Sequence, residues 1–108
     1  MKSQIKVDDF YNIDVFCKMK IKTANSFFDK FFGFMFKKNA DYAILFINCF
    51  SVHTFFMRFD IDVIFLDKKG NIVYIKKNVR PWRIVPPVRN AAHILEIPAN
   101  LLKLRSNP

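Results

Sequence analysis

The chain has 108 residues, 52% of them hydrophobic and 14 of them phenylalanine; that length suits one domain over 1–108, and the apolar content offsets chain entropy without staples, which excludes intrinsic disorder. Eighteen Lys and Arg against nine Asp and Glu leave a formal net charge of +9. The surplus favours phosphates or anionic surfaces as partners, but the cations are scattered in ones and twos, as the codon usage of an AT-rich genome alone would also leave them.

The start, MKSQIKVDDFYN, is broken by Lys6, Asp8 and Asp9 and lacks the apolar run of a secretory signal. The longest apolar run, Tyr42 to Phe50, is too short to span a membrane and contains Asn48. The cytoplasm is the expected location. In that reducing compartment Cys17 and Cys49 are expected to behave as small hydrophobes.

From Ile13 to Ile21 apolar residues alternate with Asp14, Phe16, Lys18 and Lys20, the period of a strand with one buried face. In NSFFDKFFG, Ser26 and Asp29 have capping-box spacing, Phe27, Phe28, Phe31 and Phe32 share a helical face, and Gly33 supplies the stop. A polar break at Lys37 to Asp41 precedes the strand AILFIN; Ser51 to Met57 and Asp62 to Leu66 read as two more, with a turn at Arg58 to Asp60. DKKGN reads as a hairpin loop that pairs VIFL with IVYI in antiparallel fashion. Pro81, Pro86 and Pro87 make Val79 to Asn90 a structured loop and exclude a central strand there. Ala92 to Ile97 forms the last strand, with Pro98 at a helix start and a turn over Asn100 to Leu104.

The chemical inventory is thin. With only Gly33 and Gly70, no glycine loop can cradle a pyrophosphate. There is no CxxC and no close histidine pair on a helix, so no metal or other cofactor is expected. Cys49 and His53, with His93 and Asp62, would have to be gathered by the fold to hold a soft metal. His53 and Thr54 are strand neighbours and point to opposite faces, so they do not form a nucleophile and base; His53 reads as a half-buried strand histidine. Asp60 and Asp62, beside Arg58, offer two carboxylates on one face, as acid–base or metal chemistry requires. The plainer reading has Asp60 in a turn and Asp62 bracing the neighbouring chain, because a carboxylate in so apolar a stretch needs a partner. Trp82, between Arg80 and Arg83, suits stacking on a planar ligand or a proline-rich peptide; the alternative is a plug over the end of a barrel.

Five spaced elements, Gly33-Phe34-Met35-Phe36-Lys37, Ile44-Leu45-Phe46, His53 to Arg58, Ile61 to Asp67 with Gly70, and Leu95-Glu96-Ile97-Pro98-Ala99, occur in the order found in the domain of unknown function 192 family, which the chain resembles over Ala24 to Ala99. The resemblance implies a small, mostly antiparallel β-sandwich or barrel with one or two short helices, of bacterial or archaeal type, often exported, and without an established activity. It singles out Phe56-Met57-Arg58, Asp62 and the Leu-Glu-hydrophobic-Pro element that contains Glu96. Asn100 stands where the family usually has glycine, the start of the chain does not read as the export signal that the family often carries, and a family-like core is expected over about 13–104.

The expectation is therefore a mainly β, β-rich α+β fold. Its expected function is noncatalytic: His53, Arg58, Asp62, Trp82, Arg83 and Glu96 form a binding or structural polar site for an unknown small ligand or protein. Nucleic-acid or anionic-surface binding through the +9 charge is the first alternative, and a metal-assisted hydrolase using Asp62 and His53 the second.

Overall fold

The computed structural model describes residues 19–101. Cys17, most of the strand expected over Ile13 to Ile21, and the end of the turn expected at Asn100 to Leu104 lie outside them. Within them the elements are β1 (Lys20–Ala24), α1 (Phe27–Phe32), β2 (Tyr42–Phe46), β3 (Val52–His53), β4 (Ile61–Leu66), β5 (Ile72–Val79), β6 (Ile84–Val85) and β7 (His93–Pro98). A helical turn follows at 99–101, so Pro98 ends a strand and the helical residues begin one position later.

Five strands form one sheet in the order β1-β2-β7-β4-β5, and β3 and β6 form a separate two-stranded ladder. The mainly β expectation holds, with the sheet open and mixed: β1 pairs β2 in parallel, Lys20 with Tyr42 through Ala24 with Phe46, while the other pairs are antiparallel. Parallel neighbours need a crossover of a dozen or more residues, and the segment that carries α1 supplies it. At the edges, β1 exposes Lys20 and Lys22 and β5 exposes Lys76 and Lys77, charges that discourage pairing with further strands.

The two central strands, β4 and β7, are covered on both faces and are buried along nearly their whole length, which is why IDVIFL and HILEIP read as almost continuous apolar runs. On one face Phe34, Ile44, Phe46, Met57, Ile61, Val63, Phe65, Val79, Val85 and Ile94 form the main core; on the other, Met19, Ala43, Ile64, Ile72, Leu95 and Ile97 form a smaller one. Each fully buried Phe or Ile contributes roughly 1.5–3 kcal/mol.

Local chemistry sets the ends of the elements. The Asp29 N–H donates to Ser26 Oγ at 3.1 Å, and Gly33 closes α1 at φ 44° with its N–H donating to the Asp29 carbonyl at 3.1 Å. In the β4–β5 hairpin, Asp67 Oδ1 accepts the N–H groups of Lys69 and Asn71, both at 2.9 Å, and Gly70 sits at φ 89°. These bonds, that from the Asn71 N–H foremost, hold the Asp67 carboxyl below its ordinary value.

The strand expected over Ser51 to Met57 is reduced to Val52–His53. Thr54 ends it: its N–H and hydroxyl turn towards the 80–83 loop, and 55–56 form a turn. The proline-bearing loop holds the partner strand β6, paired Val52 with Val85 and His53 with Ile84, outside the five-stranded sheet.

Candidate functional site

Thr54 is completely buried and organises the face on which the loops meet. Its hydroxyl donates to the Arg80 carbonyl at 2.7 Å and accepts the Arg83 N–H at 2.8 Å, its own N–H donates to the Arg83 carbonyl at 2.8 Å, and its carbonyl accepts the Trp82 N–H at 3.0 Å. The side-chain oxygen imagined as a nucleophile is thus a staple between two loops.

His53, one residue earlier, joins those loops to the helix. Nε2 lies 3.1 Å from the Phe31 carbonyl, and Nδ1 accepts the Phe55 N–H at 3.1 Å. A carbonyl can only accept, so Nε2 carries the proton in this arrangement and both ring nitrogens are engaged.

The backbone then turns aromatic side chains outward. Phe36, Phe56 and Trp82 have φ of 67°, 63° and 66°, a region that bulky L residues rarely occupy and that costs on the order of 1–2 kcal/mol each. All three are exposed, at 63%, 45% and 56%. Their rings touch: Phe36 and Phe56 have centroids 5.2 Å apart, and Phe56 and Trp82 4.7 Å. The Phe36 N–H donates to the Phe56 carbonyl at 2.9 Å, which ties the two turns together. From Trp82 the row of rings continues through Phe55 and His53 to Phe31 on α1 at centroid spacings of 6.0, 5.1 and 5.4 Å. Phe27, Phe28 and Phe32 extend it. The helical Phe face read from the sequence is present, and it faces solvent: α1 has no buried residue.

Arg80 and Arg83, on either side of Pro81-Trp82, and Arg58, two residues after Phe56, are exposed. Arg83 Nη1 donates to the Pro81 carbonyl at 3.3 Å. Lys76, Asn78, Arg80 and Arg83, with Val79, Ile84 and Val85, line an open hollow of about 300 Å³.

Asp62 and Glu96 stand apart from the ridge, inside the sheet and on its opposite faces. Asp62 is registered with Ile97 of the smaller core, and Glu96 with Ile44 and Val63 of the main core. Asp62 Oδ1 accepts the N–H of Asn78 at 2.8 Å, where β5 carries an extra residue against β4 and Asn78 has φ 55°. The carboxylate therefore braces a β-bulge. Glu96 is 1% exposed, its Oε1 has no hydrogen-bond partner among the described residues, and burial pushes its carboxyl up to about 8. Burial also pushes up the thiol of Cys49, whose Sγ donates to the Ser51 carbonyl at 3.2 Å.

The fold thus brings His53, Trp82 and Arg83 to one face, with Arg58 two residues beyond the 55–56 turn, and places Asp62 and Glu96 elsewhere. Among the described residues, no three His, Cys, Asp or Glu side chains gather in a way that would hold a metal ion. Sequence reading passed over Thr54 as a staple and Phe36 and Phe56 as surface residues. The available signal was the crowding of Phe27, Phe28, Phe31, Phe32, Phe34 and Phe36 into 27–36, more rings than one short amphipathic helix can bury.

Comparison with known proteins gives a consistent result. The family model DUF192, described as Uncharacterized ACR, matches residues 12–106. A UPF0127 protein of Thermococcus sibiricus is 40% identical over 90 residues, covering 77% of this chain and 57% of the relative, so the chain matches little more than half of that protein. A UPF0127 protein of Pyrococcus abyssi is 38% identical over 91 residues, covering 79% and 76%. These relatives are archaeal. Two crystal structures share the fold: a Novosphingobium aromaticivorans protein of unknown function, with a TM-score of 0.69 at 17% identity over 80% of this chain and 67% of that one, and a Sinorhizobium meliloti protein described as a proposed transcription regulator, with 0.63 at 23% over 82% and 75%.

Proposed function

The chain belongs to the uncharacterised DUF192 family, and from that premise we propose that it is a noncatalytic binding module whose contact surface is the aromatic ridge around Trp82, His53, Arg58 and Arg83. The observation that carries this reading is the left-handed backbone of Phe36, Phe56 and Trp82. Backbone strain persists only where the surroundings enforce it, and it gathers at sites of function. Here it is spent on holding three large rings in water, which gains nothing for the core. Exposed aromatics beside arginine are also the residues that dominate binding energy at interfaces. In this reading Asp62 and Glu96 serve the sheet.

Anilinonaphthalene sulfonate, an apolar anion, is a suitable probe of the surface. Trp82→Ala with Arg83→Ala is expected to weaken dye binding to the native protein by about fivefold or more, because tryptophan is enriched among the interface residues whose truncation costs more than about 1 kcal/mol. The urea midpoint should shift little, since both side chains are exposed. Trp82→Gly should be more stable than Trp82→Ala by about 1 kcal/mol, because glycine adopts positive φ without strain. Undiminished dye binding by the double variant would refute the assignment.

A further inference from the structure

We infer that the aromatic ridge docks on an anionic lipid membrane, an inference that rests on the binding role proposed above and names the partner. Phe27 and Phe28 are 75% and 69% exposed, and Phe31 and Phe32 are each 47% exposed. With Phe36, Phe56 and Trp82 they make a row of exposed rings, joined through the half-buried Phe55 and His53, that takes no part in either core. Large apolar surface held in water marks an interaction site.

The chemistry of the ridge selects the partner. The helical rings lean on one another, Phe27 on Phe31 at 6.4 Å, Phe28 on Phe32 at 6.5 Å, and edge to face at 5.5 Å and 5.2 Å between the two rows. Phenylalanine has no hydrogen-bonding group to match a polar partner, and both nitrogens of His53 are already engaged. The boundary between headgroups and acyl chains accepts such a surface without directional bonds, and it is where tryptophan and phenylalanine settle.

Charge supplies the second requirement. Lys30, Lys37, Arg58, Arg80 and Arg83 lie within or next to the segments that carry the ridge, and Asp29 is the only acid in 26–38. The hollow lined by Arg83, next to Trp82 in the chain, gathers Lys76, Arg80 and Arg83 around a space large enough for a lipid phosphate. An apolar patch bordered by cations is the combination that holds a protein at an anionic bilayer, each cation near the surface contributing about a fivefold gain. No helix among the described residues is long and apolar enough to cross a membrane, so the contact proposed is peripheral.

Trp82 is the only tryptophan in the chain, so intrinsic fluorescence reads the ridge directly. The full chain should sediment with vesicles of equal phosphatidylcholine and phosphatidylglycerol at low salt, with a blue shift of its emission, and should stay in solution with phosphatidylcholine alone. Added salt should release it. Phe27→Ser with Phe28→Ser, which touches no buried residue of the helix, should abolish sedimentation while leaving the urea midpoint in place. Arg80→Ala and Arg83→Ala should each weaken binding about fivefold.

Failure to bind anionic vesicles, equal binding to neutral ones, or full binding by the phenylalanine variant would overturn the inference. Binding of a single-stranded oligonucleotide without binding of vesicles would assign the ridge to nucleic acid instead. If Trp82→Ala with Arg83→Ala loses dye binding while the wild type ignores vesicles, only the membrane partner fails; if dye binding is untouched, the binding surface itself fails.

Discussion

Replacing Glu96 with Gln should make the protein more stable, and by an amount that grows with pH. The carboxyl lies in the main core between Ile44 and Val63, with burial raising it from an ordinary 4.5 to about 8. Below about pH 4.5 both the folded and the unfolded chain carry the neutral acid, and the group leaves stability independent of pH. Between about 4.5 and about 8 the unfolded chain has released this proton while the folded chain retains it. Unfolding then releases a proton, and stability falls by about 1.4 kcal/mol per pH unit. The loss reaches about 3 kcal/mol at pH 7 and about 4 kcal/mol at pH 8, and levels off near about 5 kcal/mol above about pH 9, where both states are ionised. Glutamine keeps the shape and cannot ionise. Urea denaturation of both proteins from pH 4 to pH 9 measures the difference; with a slope of about 1–3 kcal/mol per molar urea, a 3 kcal/mol gap at pH 7 moves the midpoint by about 1 M or more. Groups that do not feel Glu96, such as Asp67, cancel in the comparison. A gap that stays constant across this range would show that Glu96 is solvated or paired in the folded chain, and would refute the reasoning.

Gly33→Ala should destabilise the protein by about 1–3 kcal/mol in the same assay: a side chain at φ 44° is strained, and its Cβ would meet the Phe46 ring at 3.3 Å. Thr54→Val should cost about 1–3 kcal/mol, since it leaves the Arg83 N–H and the Arg80 carbonyl without their side-chain partner; it should also reduce dye binding, because the Trp82 loop loses its staple. A Thr54→Val protein with unchanged stability would remove Thr54 from that role.

Short-range chemistry is readable along the chain because its partners are neighbours. Ser26, Asp29 and Gly33 delimit a helix through bonds that span three or four residues, and Asp67, Gly70 and Asn71 close a hairpin within five. The mainly β class follows from the same kind of information, as does the bracing role of Asp62, since a carboxylate in IDVIFL has to find a donor. Tertiary structure alone determined how these pieces are used. The sequence of β1 does not say whether its neighbour is parallel or antiparallel, and the crossover through α1 selects the parallel one. A row of phenylalanines at helical spacing describes a face without saying whether anything covers it; only the packed molecule leaves Phe27 and Phe28 in water. Nor does any local pattern show that Thr54 will be drawn into the 80–83 loop, thereby shortening β3, or that Phe36, Phe56 and Trp82 will be held at positive φ with their rings together. Those outcomes depend on contacts between residues far apart in sequence, and their energies are settled only when the sheet and loops close against one another.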